Sequence, residues 1–124
     1  MSEPISRMMT HQVQGVGVDD TLDQVEALLA SHHLHWVPVY GEQAEIVGVI
    51  STTDLLQARA RGQPAARTRA WQVCSYRPIV VTPDTPVETV ARLMVERRAH
   101  HVVVARDGQV EGVVSSLDFV RAHA

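Results

Sequence analysis

Lysine is absent: all eleven basic residues of this 124-residue chain are arginine. No fold requires lysine, so the absence reads as codon usage and leaves the architecture unconstrained. Cysteine occurs once, at Cys74. A lone thiol rules out an internal disulfide and points to a reducing compartment. Nothing near it in sequence supplies the base and orienting group of a nucleophile, so Cys74 reads as a small buried hydrophobe. Residues 1–10 lack the apolar stretch and cleavage motif of a signal peptide, and no apolar run approaches the ~18 residues of a membrane span. The expected location is the cytoplasm, with no membrane partner. Positive charge is not in excess either: the net charge is −3, so no global field draws the chain to nucleic acid.

Chemical motifs are equally sparse. The glycines Gly15, Gly17, Gly48 and Gly112 form no G-x-G-x-x-G, and no Walker-type loop is present. No serine, threonine or cysteine stands in a recognisable nucleophile-and-base pattern, so catalysis is not expected. Seven histidines (His11, His32, His33, His35, His100, His101, His123) occur without an H-E-x-x-H pattern or a cysteine pair, so no metal is expected.

What the chain does contain is one unit written twice. His35-Trp36-Val37-Pro38-Val39 matches His100-His101-Val102-Val103-Val104, and Gly48-Val49-Ile50-Ser51-Thr52-Thr53-Asp54 matches Gly112-Val113-Val114-Ser115-Ser116-Leu117-Asp118. The register slips once, by one residue, between the two apolar runs, where a hairpin turn tolerates it. Each copy predicts an extended segment (Val13 to Val18; Ile79 to Thr82), then a helix with Leu22, Val25, Leu28 and Leu29, or Val87, Val90, Leu93 and Met94, at helical spacing. Asp20 or Thr21 is the expected cap of the first helix. Asp84 or Thr85 would cap the second, with Pro86 in its first turn. Two β-branched runs follow in each copy, Trp36 to Tyr40 and Ile46 to Ile50, then His101 to Ala105 and Val110 to Val114. Asp107-Gly108 signals a hairpin. A closing helix starts at each Ser/Thr cluster, with Leu55, Leu56 and Ala58, or Phe119 and Val120, on its apolar side. The fold class is α+β, two β-α-β-β-α units packed through their sheets with pseudo-two-fold symmetry. Residues 1–124 are expected to form a single module: repeat 1 at about 5–60, a solvated linker at about 61–69, and repeat 2 at about 70–123.

With an H-x-x-P-V-like strand and a G-h-h-S-x-x-D ending in each copy, the chain resembles the tandem cystathionine-β-synthase (CBS) repeat, or Bateman module. Arg7-Met8-Met9-Thr10 is similar to the start of such repeats, and Val81-Thr82-Pro83-Asp84-Thr85 to their lead into the first helix. The resemblance implies a regulatory module with no obligatory cofactor, binding AMP, ADP, ATP or S-adenosylmethionine in clefts between the repeats. It assigns ribose recognition to Asp54 and Asp118, whose carboxylates can accept from two adjacent hydroxyls. Ser51, Thr53 and Ser115 become hydroxyl donors at helix starts suited to phosphate. It also pairs Asp54 with His100 and Asp118 with His35, and lays adenine against Val13, Val16, Val37, Pro38, Ile79, Val80 and Val102. Two departures weaken the match: Val103 replaces the proline seen at Pro38, and Leu117 replaces the hydroxyl of Thr53. Ser51, Asp54, Ser115 and Asp118 would serve equally well as helix caps with no ligand. The resemblance further implies a homodimer formed through the helices, an unidentified protein target, and, as the competing function, an interaction scaffold with vestigial clefts.

Overall fold

Thr21 sets the start of the first helix. Its hydroxyl accepts the Gln24 N–H at 3.3 Å while the Gln24 side chain accepts the Thr21 N–H at 2.8 Å, a reciprocal capping box. Helix α1 (Leu22–Ser31) then buries Leu22, Val25 and Leu29, with Leu28 packed at the margin of the same cluster. Its counterpart α4 (Val87–Arg97) buries Val90 and Met94. That helix begins one residue later than the sequence predicts. Pro86 stands at the N-cap in extended backbone rather than in the first turn, and no side chain caps the helix. The Val87 N–H is taken instead by the Glu3 carbonyl at 2.9 Å.

The computed structural model describes residues 3–11 and 14–122. It divides into two units, residues 14–77 and residues 78–124 together with the start of the chain. In the first unit, β1 (Val16–Gly17) runs parallel to β2 (Trp36–Tyr40). The latter pairs antiparallel with β3 (Ile46–Ser51), and β3 with the two-residue β4 (Ser75–Tyr76), so the sheet order is β1-β2-β3-β4. In the second, β5 (Ile79–Val81) runs parallel to β6 (His101–Arg106), which pairs antiparallel with β7 (Gln109–Ser115). Helices α2 (Thr52–Ala60) and α5 (Ser116–Ala122) close the units. Both hairpins carry an irregularity at the same place, between Val39 and Tyr40 and between Val104 and Ala105.

The units do not coincide with the sequence repeats. Residues 68–75, which lead into the second repeat, pack on the first; residues 3–10, which lead into the first, pack on the second. The contacts correspond bond for bond. Ala70 N–H donates to Asp20 O at 2.8 Å, as Ile5 N–H does to Thr85 O at 2.8 Å. Trp71 N–H reaches Val18 O at 3.1 Å, and Ser6 N–H reaches Pro83 O at 3.0 Å. Leu22 N–H is held by Thr68 O, as Val87 N–H is by Glu3 O. The segment ends then flank the sheets, Ser75 opposite Val49 and Thr10 opposite Val113. Each segment also lends two side chains to a core. Ala70 and Cys74 join Val25, Val37, Val39 and Ile50, whereas Ile5 and Met9 join Val90, Val102, Val104 and Val114. The stretch expected as a solvated linker is therefore docked: Thr68 is buried, and its hydroxyl donates to Pro64 O at 2.7 Å. Arg61 and Arg67 remain exposed.

Asp107 (φ 52°) and Gly108 (φ 80°) form the second hairpin's turn with both residues left-handed, as the Asp-Gly pair predicts. The first hairpin closes through Gly41 N–H to Glu45 O at 2.8 Å and places Ala44 at φ 63°. A side chain there opposes the backbone by about 1 kcal/mol, partly offset by the unfolded-state entropy that glycine adds. Ala44→Gly is expected to stabilise the fold by about 0.5 kcal/mol, and Ala44→Val to destabilise it, both read from thermal unfolding midpoints.

Leu56 and Val120 depart from the expected apolar face of the closing helices. They are 66% and 65% exposed, because α2 turns Leu55 and Ala58 inward and α5 rests on the half-buried Phe119.

Candidate functional site

Strand β3 delivers Ser51 in extended backbone straight into α2. The Ser51 N–H donates to Asp54 Oδ2 at 2.8 Å, the Ser51 hydroxyl donates to the same oxygen at 3.1 Å, and the Asp54 N–H reaches Ser51 Oγ at 3.3 Å. Strand β7 and α5 repeat the arrangement, with Ser115 N–H to Asp118 Oδ2 at 2.7 Å and Ser115 Oγ to the same oxygen at 3.3 Å. Each aspartate therefore caps its own helix with one oxygen. Oδ1 of each accepts no hydrogen bond among the described residues, and both side chains are half-buried. A carboxylate oriented by two donors with its second oxygen unused can receive further hydroxyl donors without giving up the cap. Thr53 is exposed in the first turn of α2, and Leu117, its counterpart, is 43% exposed.

The two helix starts differ in what the lead-in segments bring. Burial pushes the Cys74 thiol up from its ordinary value; a hydrogen bond with Tyr76 opposes the rise, and the Asp54 carboxylate adds to it. Cys74, directly after α3 (Ala70–Val73), is thus held as a neutral, buried thiol. Around it Tyr76 donates its hydroxyl to Trp71 O, and the two rings are 53% and 48% exposed. Trp36, by contrast, is buried.

The other predicted site residues divide by burial. Val37 and Val102 are wholly buried in the two cores, and Val16 and Ile79 are buried beside them. Pro38 is also wholly buried, on the strand face opposite Val37 and Val39. Val80, 47% exposed, presents its side chain at the surface. Val13 lies outside the described residues. His35 and His100 are exposed; within their own units they line grooves between helices, His35 with Leu55 and Leu56 of α2 and His100 with Phe119 of α5. Among the described residues no cluster of His, Cys, Asp and Glu has the geometry to hold a metal ion.

His101, at the start of β6 opposite Ser115, is half-buried, and its ring meets that of His100 edge-on at 6.4 Å. Burial first, then the charge of His100, lowers its pKa to about 4. The sign follows from linkage. The folded chain disfavours the proton relative to an unfolded histidine near 6.5, so this contribution is complete above pH 6.5 and is lost as the pH falls from 6.5 through 4. With solvent screening at the exposed part of the ring, the loss is expected to be about 1–2 kcal/mol. Urea midpoints between pH 7.5 and 4 check it: the fall should be steeper in the native chain than in His101→Gln.

Sequence reasoning did not find the short helix α3 or β4. The available signal was the match of Arg7-Met8-Met9-Thr10 to Gln72-Val73-Cys74-Ser75, two segments with the same contacts on opposite units.

Comparison with known proteins gives consistent results. The CBS domain model matches residues 5–61 and again residues 70–124. The chain is 30% identical over 109 residues to the mitochondrial CBS domain-containing protein CBSX3 of Arabidopsis thaliana, and covers 84% of this chain and 53% of that one. It is 31% identical over 111 residues to the UPF0053 inner membrane protein YoaE of Escherichia coli K12, with 88% and 20% covered. The match therefore spans about half of the first relative and a fifth of the second. Among solved structures, the CBS domain pair of protein MJ0100, in complex with 5′-methylthioadenosine and S-adenosyl-L-methionine, has the same fold. Its TM-score is 0.89 at 21% identity, covering 99% of this chain and 97% of that one. Among the described residues no helix is long and apolar enough to cross a membrane.

Proposed function

Because this chain belongs to the CBS domain family, with two tandem repeats, we propose that it is a non-catalytic regulatory module that senses an adenosyl ligand, an adenine nucleotide or S-adenosylmethionine. The observation that carries the reading is the duplicated Ser-x-x-Asp helix start, in which Asp54 and Asp118 each keep one carboxylate oxygen unused. The ligands named for the MJ0100 pair, both adenosyl compounds, agree with a ribose diol as the recognised group. Asp54 and Asp118 accept from the ribose hydroxyls, and Ser51, Thr53 and Ser115 supply hydroxyls. His100 and His35 serve the clefts of Asp54 and Asp118 respectively. Adenine lies against the strand residues, with Val80 the exposed contact. In this reading the repeats span about 5–60 and 70–123 of one cytoplasmic module, and the chain works as a homodimer on a protein target.

The mechanism is a population shift. A ligand that prefers one arrangement of the repeats biases the chain toward it by no more than its differential affinity allows. Thermal unfolding with AMP, ADP, ATP, S-adenosylmethionine and GTP, each in large excess, tests the reading: one adenosyl ligand should raise the midpoint and GTP should not. The satisfied capping bonds favour the second reading, an interaction scaffold with vestigial clefts, which predicts no shift with any of them.

A further inference from the structure

Helix α2 ends by folding back on its own unit. Gly62, at φ 76°, reverses the chain in left-handed backbone, and the Gln63 N–H returns to the Ala58 carbonyl at 3.0 Å. The turn then reaches α1: the Asp23 N–H donates to Ala65 O at 3.3 Å, and the Thr68 N–H to Pro64 O at 2.9 Å. Between this turn and the two helices lies a cavity of about 270 Å³, lined by Leu22, Glu26, Leu55, Arg59, Gln63 and Ala65. Gln63 also carries an anomaly. Its Oε1 is the one buried side-chain polar atom among the described residues that has no hydrogen-bond partner. A glutamine just past a helix end has water within reach, so burying its carbonyl unpartnered costs stability that the fold does not require.

We propose that this cavity is a binding site for a small α-amino acid with an aliphatic side chain, held as its zwitterion. The inference goes beyond the adenosyl reading and shares none of its residues. Volume narrows the ligand first. The cavity falls below the roughly 300–1,000 Å³ of pockets for drug-sized molecules, which leaves an adenosyl compound too large for it. Charge narrows it further. The walls hold one carboxylate and one guanidinium, Glu26 and Arg59, 3.2 Å apart, so the site is neutral and favours a ligand without net charge.

The unused polar atoms give the rest. Glu26 Oε1 accepts from Arg59 Nη2, but Glu26 Oε2 and Gln63 Oε1 accept no hydrogen bond among the described residues. Two acceptors call for a group with several donors, an ammonium. The N–H groups that Arg59 does not spend on Glu26 call for a carboxylate. The last side-chain torsion of glutamine is broad, so the Gln63 carbonyl turns toward the ammonium without leaving its rotamer. Leu22 and Leu55, 2% and 9% exposed, form with Ala65 an apolar floor for an alkyl group. The second repeat has Ala91 where the first has Glu26, so the carboxylate is no demand of the shared fold.

An NMR titration of the isotope-labelled full chain, without any adenosyl compound, tests this with L-valine and L-leucine as probes. At least one should bind with a dissociation constant of about 1 mM or tighter, and should move the signals of residues 22–26 and 58–65. Isopentylamine and isocaproate, which are leucine without its carboxylate and without its ammonium, should each bind about ten-fold more weakly or worse. Glu26→Gln should weaken the better probe about ten-fold. Gln63→Met should abolish binding and yet raise the unfolding midpoint of the ligand-free chain, because it removes an unpartnered buried acceptor; a glutamine with a structural role alone would give a lower midpoint. Circular dichroism confirms that each variant is folded, and Glu26→Gln carries the test if Gln63→Met is not. The Asp54→Asn/Asp118→Asn variant should bind the amino acid as the native chain does. Loss of binding there would place the amino acid in the adenosyl site and overturn the inference. No binding of either probe to the folded native chain overturns it too, and equal affinity for isopentylamine or isocaproate overturns the zwitterion.

Discussion

Gly48→Ala is expected to destabilise the fold by about 3 kcal/mol and Gly112→Ala by about 1–2 kcal/mol, seen as lowered urea midpoints with unchanged slope. The two glycines hold the same position in β3 and β7, where the lead-in segments come closest. A Cβ on Gly48 would lie 2.4 Å from Ser75 O and 3.3 Å from Cys74 Sγ. On Gly112 it would lie 2.6 Å from Met9 Sδ and 2.8 Å from Thr10 O. The nearest obstacle at Gly48 is backbone, held in the sheet by the β3–β4 pairing, so the strand itself must move away. At Gly112 the nearest is the end of a flexible methionine, which can turn aside, although Thr10 O cannot. Equal losses at the two sites would show that the segments yield as easily as the side chain does.

Excess of the cognate adenosyl ligand is expected to raise the unfolding midpoint of the native chain by on the order of 10 °C, and to leave the Asp54→Asn/Asp118→Asn double variant unmoved. At 100 times the dissociation constant a bound ligand contributes about 2.7 kcal/mol of stability, which sets that scale for a domain of this size. Asparagine rather than alanine makes the test specific. Its carbonyl oxygen can still accept from the Ser51 or Ser115 N–H and keep the helix capped, whereas the unused oxygen becomes an amide that donates. Without ligand the variant should therefore lie within about 1 kcal/mol of the native chain per site. A lost shift with a retained cap assigns the carboxylates to the ligand. A shift that survives in the double variant moves the binding site elsewhere.

The helices and hairpins were legible because their signals are local. Periodic Leu22, Val25 and Leu29 give α1, the Asp107-Gly108 pair gives the turn between β6 and β7, and the doubled G-h-h-S-x-x-D gives both helix starts. The ends of β2, β3, β5, β6 and β7 fell within a residue of their expected limits for the same reason, whereas β1 is shorter than the extended segment expected from Val13 to Val18. The destination of the lead-in segments was not legible. Residues 3–10 and 68–75 are short and mixed in polarity, and they dock through main-chain hydrogen bonds to distant carbonyls, which no side-chain period records. The glycine of the motif was the readable trace: its position demands a close backbone neighbour, but not the identity of that neighbour. At the site, the aspartates were found by their doubling and by family resemblance. The full burial of Val37, Pro38 and Val102 was not, because a strand inside a packed unit and one lining a cleft share the same apolar composition.

The docking of residues 3–10 beside β7 makes the chain circular in its logic. The first unit is completed by the residues that follow it, and the second by residues that precede the first. The second unit therefore cannot finish its core until β7 has emerged, although Ile5 and Met9 precede the whole of the first unit along the chain. The order of the segments along the chain matters less than their number. A permuted chain that opens just before Gln14, with its old ends joined by a flexible linker, holds every segment that both units use.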